Sequence, residues 1–112
     1  MYKFLENEQV MMQEKGPTFE VWKPIGMKNK NVITPDKLQI VTNEIININL
    51  QWKTFDIEHG EYVNSNSTDD FKIDINGDKS SIASNNGQAT ITFTSEIPGE
   101  YVINGIRMVV VV

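Results

Sequence analysis

The only histidine of this 112-residue chain, His59, is the residue best suited to acid–base chemistry. It lies in the sequence Glu58-His59-Gly60-Glu61, where a neighbouring carboxylate would orient the imidazole as a general base. The chain contains no cysteine, and no nucleophilic-serine, phosphate-loop or HExxH motif accompanies the histidine. A charged, glycine-containing turn between two strands is typical of a solvated loop histidine. We therefore predict no catalytic residue and expect the protein not to be an enzyme.

Four aspartates supply the oxygen ligands that Ca²⁺ prefers: Asp69, Asp70, Asp74 and Asp78. The spacing fails the calcium-loop pattern, because Lys79 stands where that loop needs glycine and Asn85 where it needs a bidentate glutamate. We predict no metal site and no cofactor. Asp69 and Asp70 end the polar loop at residues 64–70, and they stay as candidate binding residues.

Aromatic side chains suggest a different chemistry, the stacking of a sugar ring. The four aromatic residues in question are Trp22, Trp52, Phe55 and Tyr62. Trp52 alternates in register with Ile46, Ile48 and Leu50, which favours packing in the core. Trp22 and Tyr62 are the remaining candidates for contact with a ligand.

The last five residues form an apolar run, Met108 to Val112. A run that is apolar on both faces predicts a strand that is covered on both faces. Two covers are consistent with the sequence, namely residues 1–34 of the same chain or another subunit. The interface candidates are Met108, Val110 and Val112.

The elements that position these residues are short strands. Residues 46–53 alternate apolar and polar over eight positions, which predicts a long strand with one wet face. Residues 89–94 alternate in the same way, and Asn104-Gly105 predicts a hairpin turn near the end of the chain. Turn residues recur about every 8 to 12 positions after Asp36, as in an antiparallel β-sandwich.

The N-terminal third is less regular. Residues 9–13 and 18–22 predict a hairpin across Glu14-Lys15-Gly16-Pro17, although a short helix face over residues 2–12 is the alternative. Residues 24–31 read as a loop by composition. We expect two parts: residues 1–34 as an N-terminal hairpin or extension, and residues 35–112 as the β-sandwich.

Composition excludes several classes of partner. The chain has 15 acidic and 10 basic residues, a net charge of −5, so a nucleic acid is not expected. The charged residues Lys3, Glu6 and Glu8 near the N-terminus predict no secretory signal, and no apolar run approaches the ~20 residues of a membrane span. We expect a product made in the cytoplasm. The abundance of Asn, Ile and Lys suggests an AT-rich bacterial or phage genome.

The strand at 89–94 is followed by the Pro98-Gly99 corner and by Tyr101 at the start of the next strand. Through this pattern, residues 35–112 resemble a bacterial immunoglobulin-like module of the kind found in surface adhesins and on phage virions. The resemblance implies an all-β, immunoglobulin-like antiparallel β-sandwich with an extra N-terminal β-hairpin. It also implies that the Tyr101 hydroxyl hydrogen-bonds back across the corner.

The expected function is therefore a non-enzymatic structural or binding module, an accessory protein of a phage or prophage virion. It would belong to the tail, baseplate or head decoration and act through β-sheet contacts. The alternative is a small carbohydrate-binding module. The expected partners are other virion proteins, further copies of the chain in a homo-oligomer, and a host-surface carbohydrate. The expected location is the virion, assembled in the bacterial cytoplasm, with the cytoplasm itself as the alternative.

Overall fold

The computed structural model describes residues 1–112 and consists of strands without helices. The all-β prediction is confirmed. The twelve strands are β1 (Tyr2–Phe4), β2 (Gln9–Lys15), β3 (Glu20–Met27), β4 (Asn29–Pro35), β5 (Gln39–Val41), β6 (Ile46–Asp56), β7 (Glu61–Asn64), β8 (Phe71–Ile75), β9 (Asp78–Ile82), β10 (Gln88–Phe93), β11 (Gly99–Ile103) and β12 (Ile106–Val111).

These strands form three sheets. The N-terminal sheet has the order β1-β2-β3. A four-stranded sheet has the order β10-β6-β4, with β7 paired to the far end of β6, and a five-stranded sheet has the order β5-β12-β11-β8-β9. Neighbouring strands are antiparallel, except that β5 runs parallel to β12. We call β4 to β12 the body.

The core of the body lies between the four-stranded and five-stranded sheets, and both contribute buried apolar side chains. Alternation along β6 explains one half of it, because Ile46, Ile48 and Leu50 are buried while Asn47 and Asn49 are exposed. The cluster consists of Ile40, Ile46, Ile48, Leu50, Phe71, Ile73, Phe93, Ile103, Met108 and Val110. Burial of this single cluster is the main source of the body's stability.

Two asparagine side chains join the central strands of the five-stranded sheet. Asn104 accepts a hydrogen bond from Asp74 N (2.6 Å) and donates one to Lys72 O (3.0 Å). Asn76 accepts a hydrogen bond from Val102 N (2.7 Å). Both asparagines have positive φ, in tight turns where each is followed by glycine. The hairpins β8–β9 and β11–β12 are thus joined through turn residues as well as through backbone pairing.

Gly87 closes the junction at which β10 and β7 meet along β6. Its carbonyl accepts a hydrogen bond from Trp52 N (2.8 Å), and Trp52 O accepts one from Ser65 N (2.9 Å). A Cβ atom on Gly87 would lie 1.7 Å from Ser65 O. Only glycine fits here, because the backbone of the neighbouring loop occupies the space of a side chain.

Tyr101 lies where the sequence predicts it, just after the Pro98-Gly99 corner. Its hydroxyl donates a hydrogen bond to Ile97 O at 2.8 Å and lies 2.6 Å from Ser95 Oγ. The ring packs edge-on against Phe93, with centroids 5.3 Å apart. The predicted hydrogen bond across the corner is confirmed.

The N-terminal region contains more strand than the sequence predicts. β2 and β3 form the predicted hairpin with longer strands, and β1 adds a third strand to it. The alternative of a helix over residues 2–12 is wrong. Residues 29–31, predicted as part of a loop, belong to β4, which pairs with β6 from Asn29 to Pro35. Backbone hydrogen bonds to a neighbouring strand make this polar stretch extended.

The molecule is long and narrow, with principal extents of 58 × 31 × 22 Å. Its radius of gyration is 17.7 Å, whereas a compact domain of this length has about 13 Å. The N-terminal sheet accounts for the elongation, because it shares no strand pairing with the body.

Candidate functional site

The largest number of exposed large apolar side chains on any one strand lies along β3, one edge of the N-terminal sheet. Four side chains in and just before this strand are 40–53% exposed, and we call them the β3 edge: Phe19, Val21, Ile25 and Met27. The ring of Phe19 folds over Gly16, where a Cβ atom would lie 2.0 Å from it. The tip of the β2–β3 hairpin is therefore compact, although its aromatic ring stays in contact with solvent.

The N-terminal sheet is mounted on the body through three aromatic rings, Tyr2, Phe55 and Tyr62, which we call the aromatic joint. Phe55 is buried and packs edge-on against both tyrosines, with centroids 5.0 Å away in each case. The Tyr62 hydroxyl donates a hydrogen bond to Met27 O at 2.7 Å. Edge-on rings stabilise such contacts beyond the area they bury.

Two glycines and two backbone hydrogen bonds tighten the joint. A Cβ on Gly26 would lie 2.5 Å from the Tyr62 hydroxyl, and one on Gly60 would lie 2.6 Å from the Tyr2 ring. Lys28 donates to Glu8 O (2.6 Å), and Lys28 O accepts from Phe55 N (2.8 Å). The connection between β3 and β4 is thus held on both sides, so the N-terminal sheet is fixed in direction.

Charge divides along the same boundary. Residues 1–28, the N-terminal sheet together with the linking residue Lys28, contain four lysines and four glutamates, so this segment has no net charge, and the body carries the whole net charge of −5. Within the sheet, Lys23 pairs with Glu14 at 2.7 Å and the Lys3 ammonium lies 4.2 Å from the centroid of the Trp22 ring. The sheet therefore offers a neutral surface to a partner, whereas the body repels acidic molecules.

His59 lies on the exposed turn between β6 and β7. Its Nδ1 lies 2.6 Å from the Asp56 carboxylate, so the partner is Asp56 rather than Glu58 or Glu61. The hydrogen bond to Asp56 raises the pKa of His59, and the same bond lowers the pKa of Asp56. The side chains of Asp56, Glu58 and His59 lie within 4.8 Å of one another, close enough to share a cation. All three belong to one four-residue turn, where the ion pair accounts for the proximity.

The predicted binding residues do not come together. Asp69 and Asp70 are exposed, and the backbone carbonyl of Asp69 accepts a hydrogen bond from Trp52 Nε1 at 2.9 Å. The Asp74 carboxylate accepts a hydrogen bond from Gly77 N at 2.7 Å, which stabilises the β8–β9 turn. The aspartates of residues 69–78 form no cluster suited to a cation.

The aromatic candidates are separated as well. Trp22 lies in the N-terminal sheet beneath Lys3, and Tyr62 lies in the joint with the Lys30 ammonium 3.7 Å from its centroid. Trp52 stacks on Phe71, with centroids 5.2 Å apart and planes 13° apart. A lysine or another ring thus covers one face of each candidate ring, and no pair forms an open platform.

The terminal strand is covered by the chain itself. Met108 and Val110, expected at an interface, are instead buried in the core between the two sheets of the body, and only Val112 is exposed, at 95%. Val109 and Val111 on the opposite face are half-buried. The cover on that face comes from the facing sheet of the body, to which residues 1–34 contribute only through β4, with Ile33 packed against the core.

Two open clefts lie on the body. One, of about 530 Å³, is lined by β8 and β9 and includes Lys72, Asp74 and Lys79. The other, of about 410 Å³, lies along β6 and β10 and is lined by the amides and hydroxyls of Asn49, Gln51, Asn85, Gln88 and Thr90, together with Leu50 and Ala89. The second cleft contains no charged side chain, so it suits a neutral hydroxyl-bearing ligand.

Sequence reasoning did not identify the β3 edge as a site. The sequence signal for it was Pro24 with apolar residues on both sides, because proline within a strand indicates the edge of a sheet. Comparisons with known protein families, with curated proteins and with solved structures found no match to this chain. The structure has no helix of the length and apolar character needed to cross a membrane.

Proposed function

We propose that this chain is a non-enzymatic structural module, an accessory protein of a phage or prophage virion that acts through β-sheet contacts. One observation carries the proposal: a neutral three-stranded sheet with an apolar edge projects from an acidic body and is fixed in direction by the aromatic joint. A rigid projecting edge is suited to docking, because little conformational freedom is lost on binding.

The proposal includes an immunoglobulin-like sandwich for the body. Two features support it. Consecutive strands β4 and β5 lie in opposite sheets, with β5 parallel to the last strand, β12. The hydrogen bond from Tyr101 to Ile97 O spans the corner before β11, as in the tyrosine corner of such folds. Modules of this fold serve many functions, so the docking edge carries the functional argument rather than the fold.

The test is the location of the protein in particles. Density-gradient fractions from a culture that encodes the chain would be analysed by quantitative peptide mass spectrometry, with the chain expressed at its native level. We expect the chain to band with the particles at a fixed ratio to their other proteins. Its presence only in the soluble fractions, beside intact particles, would refute a virion role.

A carbohydrate-binding module is the alternative, and the uncharged cleft along β6 and β10 favours it. Amide and hydroxyl side chains at its rim match the hydroxyl groups of a neutral sugar. A glycan array would test it, with Gln88→Ala in the cleft as the loss-of-binding variant and Lys79→Ala in the other cleft as the control. Equal binding by the two variants would exclude the cleft.

A further inference from the structure

We propose that the β3 edge is the contact surface for a second copy of this chain, so that two N-terminal sheets meet and the two bodies point away from each other. This inference rests on the proposed function and names the partner of its docking edge. The arguments are the length and composition of the edge, the exposed area, and the distribution of charge.

β3 is the longest of the strands that form sheet edges, with eight residues. Of the other edges, β1 and β5 have three residues each, β9 has the exposed sequence Asp78-Lys79-Ser80-Ser81 before Ile82, and β4 and β10 expose no large apolar side chain. A long edge with exposed apolar side chains is the feature that promotes association between chains. β3 contains Glu20, Lys23 and Pro24, yet it exposes more large apolar side chains than any other edge strand, namely Val21, Ile25 and Met27.

Pro24 and the bulge between Val10 and Met11 limit how β3 can be used. Proline has no backbone donor, and the bulge twists the strand, so a continuous ladder of hydrogen bonds along the edge is interrupted. The contact therefore relies on side chains and has a defined extent. This separates a closed dimer from open-ended addition of further strands.

The exposed area matches the requirement of such a contact. The chain exposes 7415 Å², whereas a monomeric protein of 12.8 kDa exposes about 6,300 Å². The excess of about 1,100 Å² is close to the ~800 Å² that each partner buries in a stable interface. A dimer through the projecting sheet would bring the exposed area per chain to the level of an ordinary globular protein.

The charge of the N-terminal sheet favours a second copy of the chain as the partner that binds the β3 edge. The sheet together with Lys28 has no net charge, so it offers no electrostatic attraction to a strongly acidic or basic partner. Its mixture of four lysines and four glutamates is complementary to an identical surface. Contact through the sheets also keeps the two bodies, each with a charge of −5, at opposite ends of the pair.

The test is the mass of the purified full-length chain by sedimentation equilibrium, from about 1 to about 100 µM, a range that includes the dissociation constants of modest interfaces. We expect twice the chain mass of 12.8 kDa at the higher concentrations. The variant Val21→Lys/Ile25→Lys on the β3 edge should be monomeric, with its dissociation constant raised at least tenfold. Its circular dichroism and unfolding midpoint would establish that it folds.

The matched control is Val41→Lys/Val102→Lys, which adds the same two charges at strand residues of the body that are 45–50% exposed. This variant should dimerise like the wild type. Hydrogen exchange of the wild type supplies a second measurement, in which residues 19–27 should exchange more slowly at high than at low protein concentration. A monomeric wild type, a β3-edge variant that still dimerises, or a control that dissociates instead would each overturn the proposal.

The virion role and the self-association through the β3 edge can be refuted independently of each other. A purified chain that is monomeric but bands with particles would overturn self-association and leave the virion role in place. A dimer through the β3 edge that never bands with particles would refute the virion role and retain the contact.

Discussion

Replacement of Gly87 by alanine is the sharpest structural test, because two separate costs meet at this position. Gly87 has a φ of +76°, a conformation that residues with a side chain rarely adopt. The added methyl group would also lie 1.7 Å from Ser65 O, inside the backbone of the neighbouring loop. The loop must therefore move, and the hydrogen bond between Trp52 N and Gly87 O lies at the same junction.

Gly105 separates the two costs. Its φ of +83° is similar, and a Cβ there meets nothing within 4 Å. Gly105→Ala should therefore lower the free energy of unfolding only by the backbone cost, about 1–2 kcal/mol. Gly87→Ala should add about 1–3 kcal/mol for overpacking and about 1 kcal/mol for a weakened hydrogen bond. The expected difference between the two variants is about 2–4 kcal/mol, a large share of the 5–15 kcal/mol typical of a whole domain.

The assay is urea unfolding of the wild type and both variants, followed by tryptophan fluorescence and by circular dichroism. The midpoint should fall in the order wild type, Gly105→Ala, Gly87→Ala, with an unchanged slope. Equal free energies of unfolding for the two variants, within about 0.5 kcal/mol, would refute the argument that the loop backbone excludes a side chain at residue 87.

Three further predictions concern stability and pH. Asp56→Asn should lower the pKa of His59 toward its ordinary 6.5, as measured by NMR titration. Because the folded-state pKa of His59 is raised, the ion pair stabilises the protein fully below the ordinary pKa of 6.5, and this contribution is lost as the pH rises through the raised pKa. The variant should therefore lose more thermal stability at about pH 5.5 than at about pH 8.5. Asn104→Ala should lower the free energy of unfolding in urea by about 2 kcal/mol more than Asn86→Ala does, because it removes two hydrogen bonds to β8. Asn86 is the matched control, since it has a similar positive φ and its side chain makes no hydrogen bond. Equal losses for the two variants would contradict the bridging role of Asn104. Tyr62→Phe keeps the ring but removes the donor to the carbonyl at the end of β3, so amides in the N-terminal sheet should exchange faster while those of the core keep their rates.

The strands of the body are largely predictable from the sequence, because each has one buried and one wet face. The alternation that begins at Ile46 predicts β6, and the Asn104-Gly105 pair predicts the turn between β11 and β12. Ser80 to Ala83 predicts a weak edge strand, and β9 runs from Asp78 to Ile82. Alternation and turn chemistry are local properties of the chain, so they can be read without knowledge of the pairing.

Pairing over long distances could not be predicted in the same way. The polar residues that open β4 have the composition of a loop, and only the backbone of β6 makes them a strand. The parallel pairing of β5 with β12 joins residues about seventy positions apart. Nothing in the three residues of β5 specifies that partner, because a short strand carries too little pattern to select one.

The candidate site was the least predictable part. The apolar run at the end of the chain suggested an interface, yet Met108 and Val110 fill the core and the exposed apolar edge lies in β3. Sequence patterns report how apolar a residue is but not whether another part of the chain covers it. The partner of His59 shows a different limit, because the sequence places Glu58 and Glu61 nearest to it whereas the fold of the turn brings Asp56 into contact.

The parallel pair of β5 and β12 also determines how the molecule responds to tension. Force applied between the N-terminal sheet and Val112 pulls β5 and β12 in opposite directions along their length. The hydrogen bonds from Thr42 N to Val111 O and from Val109 N to Leu38 O are then sheared together. An antiparallel hairpin pulled at its open end would instead unzip one bond at a time. The strand with the shortest sequence in the body thus acts as a mechanical clamp between the two ends of the chain.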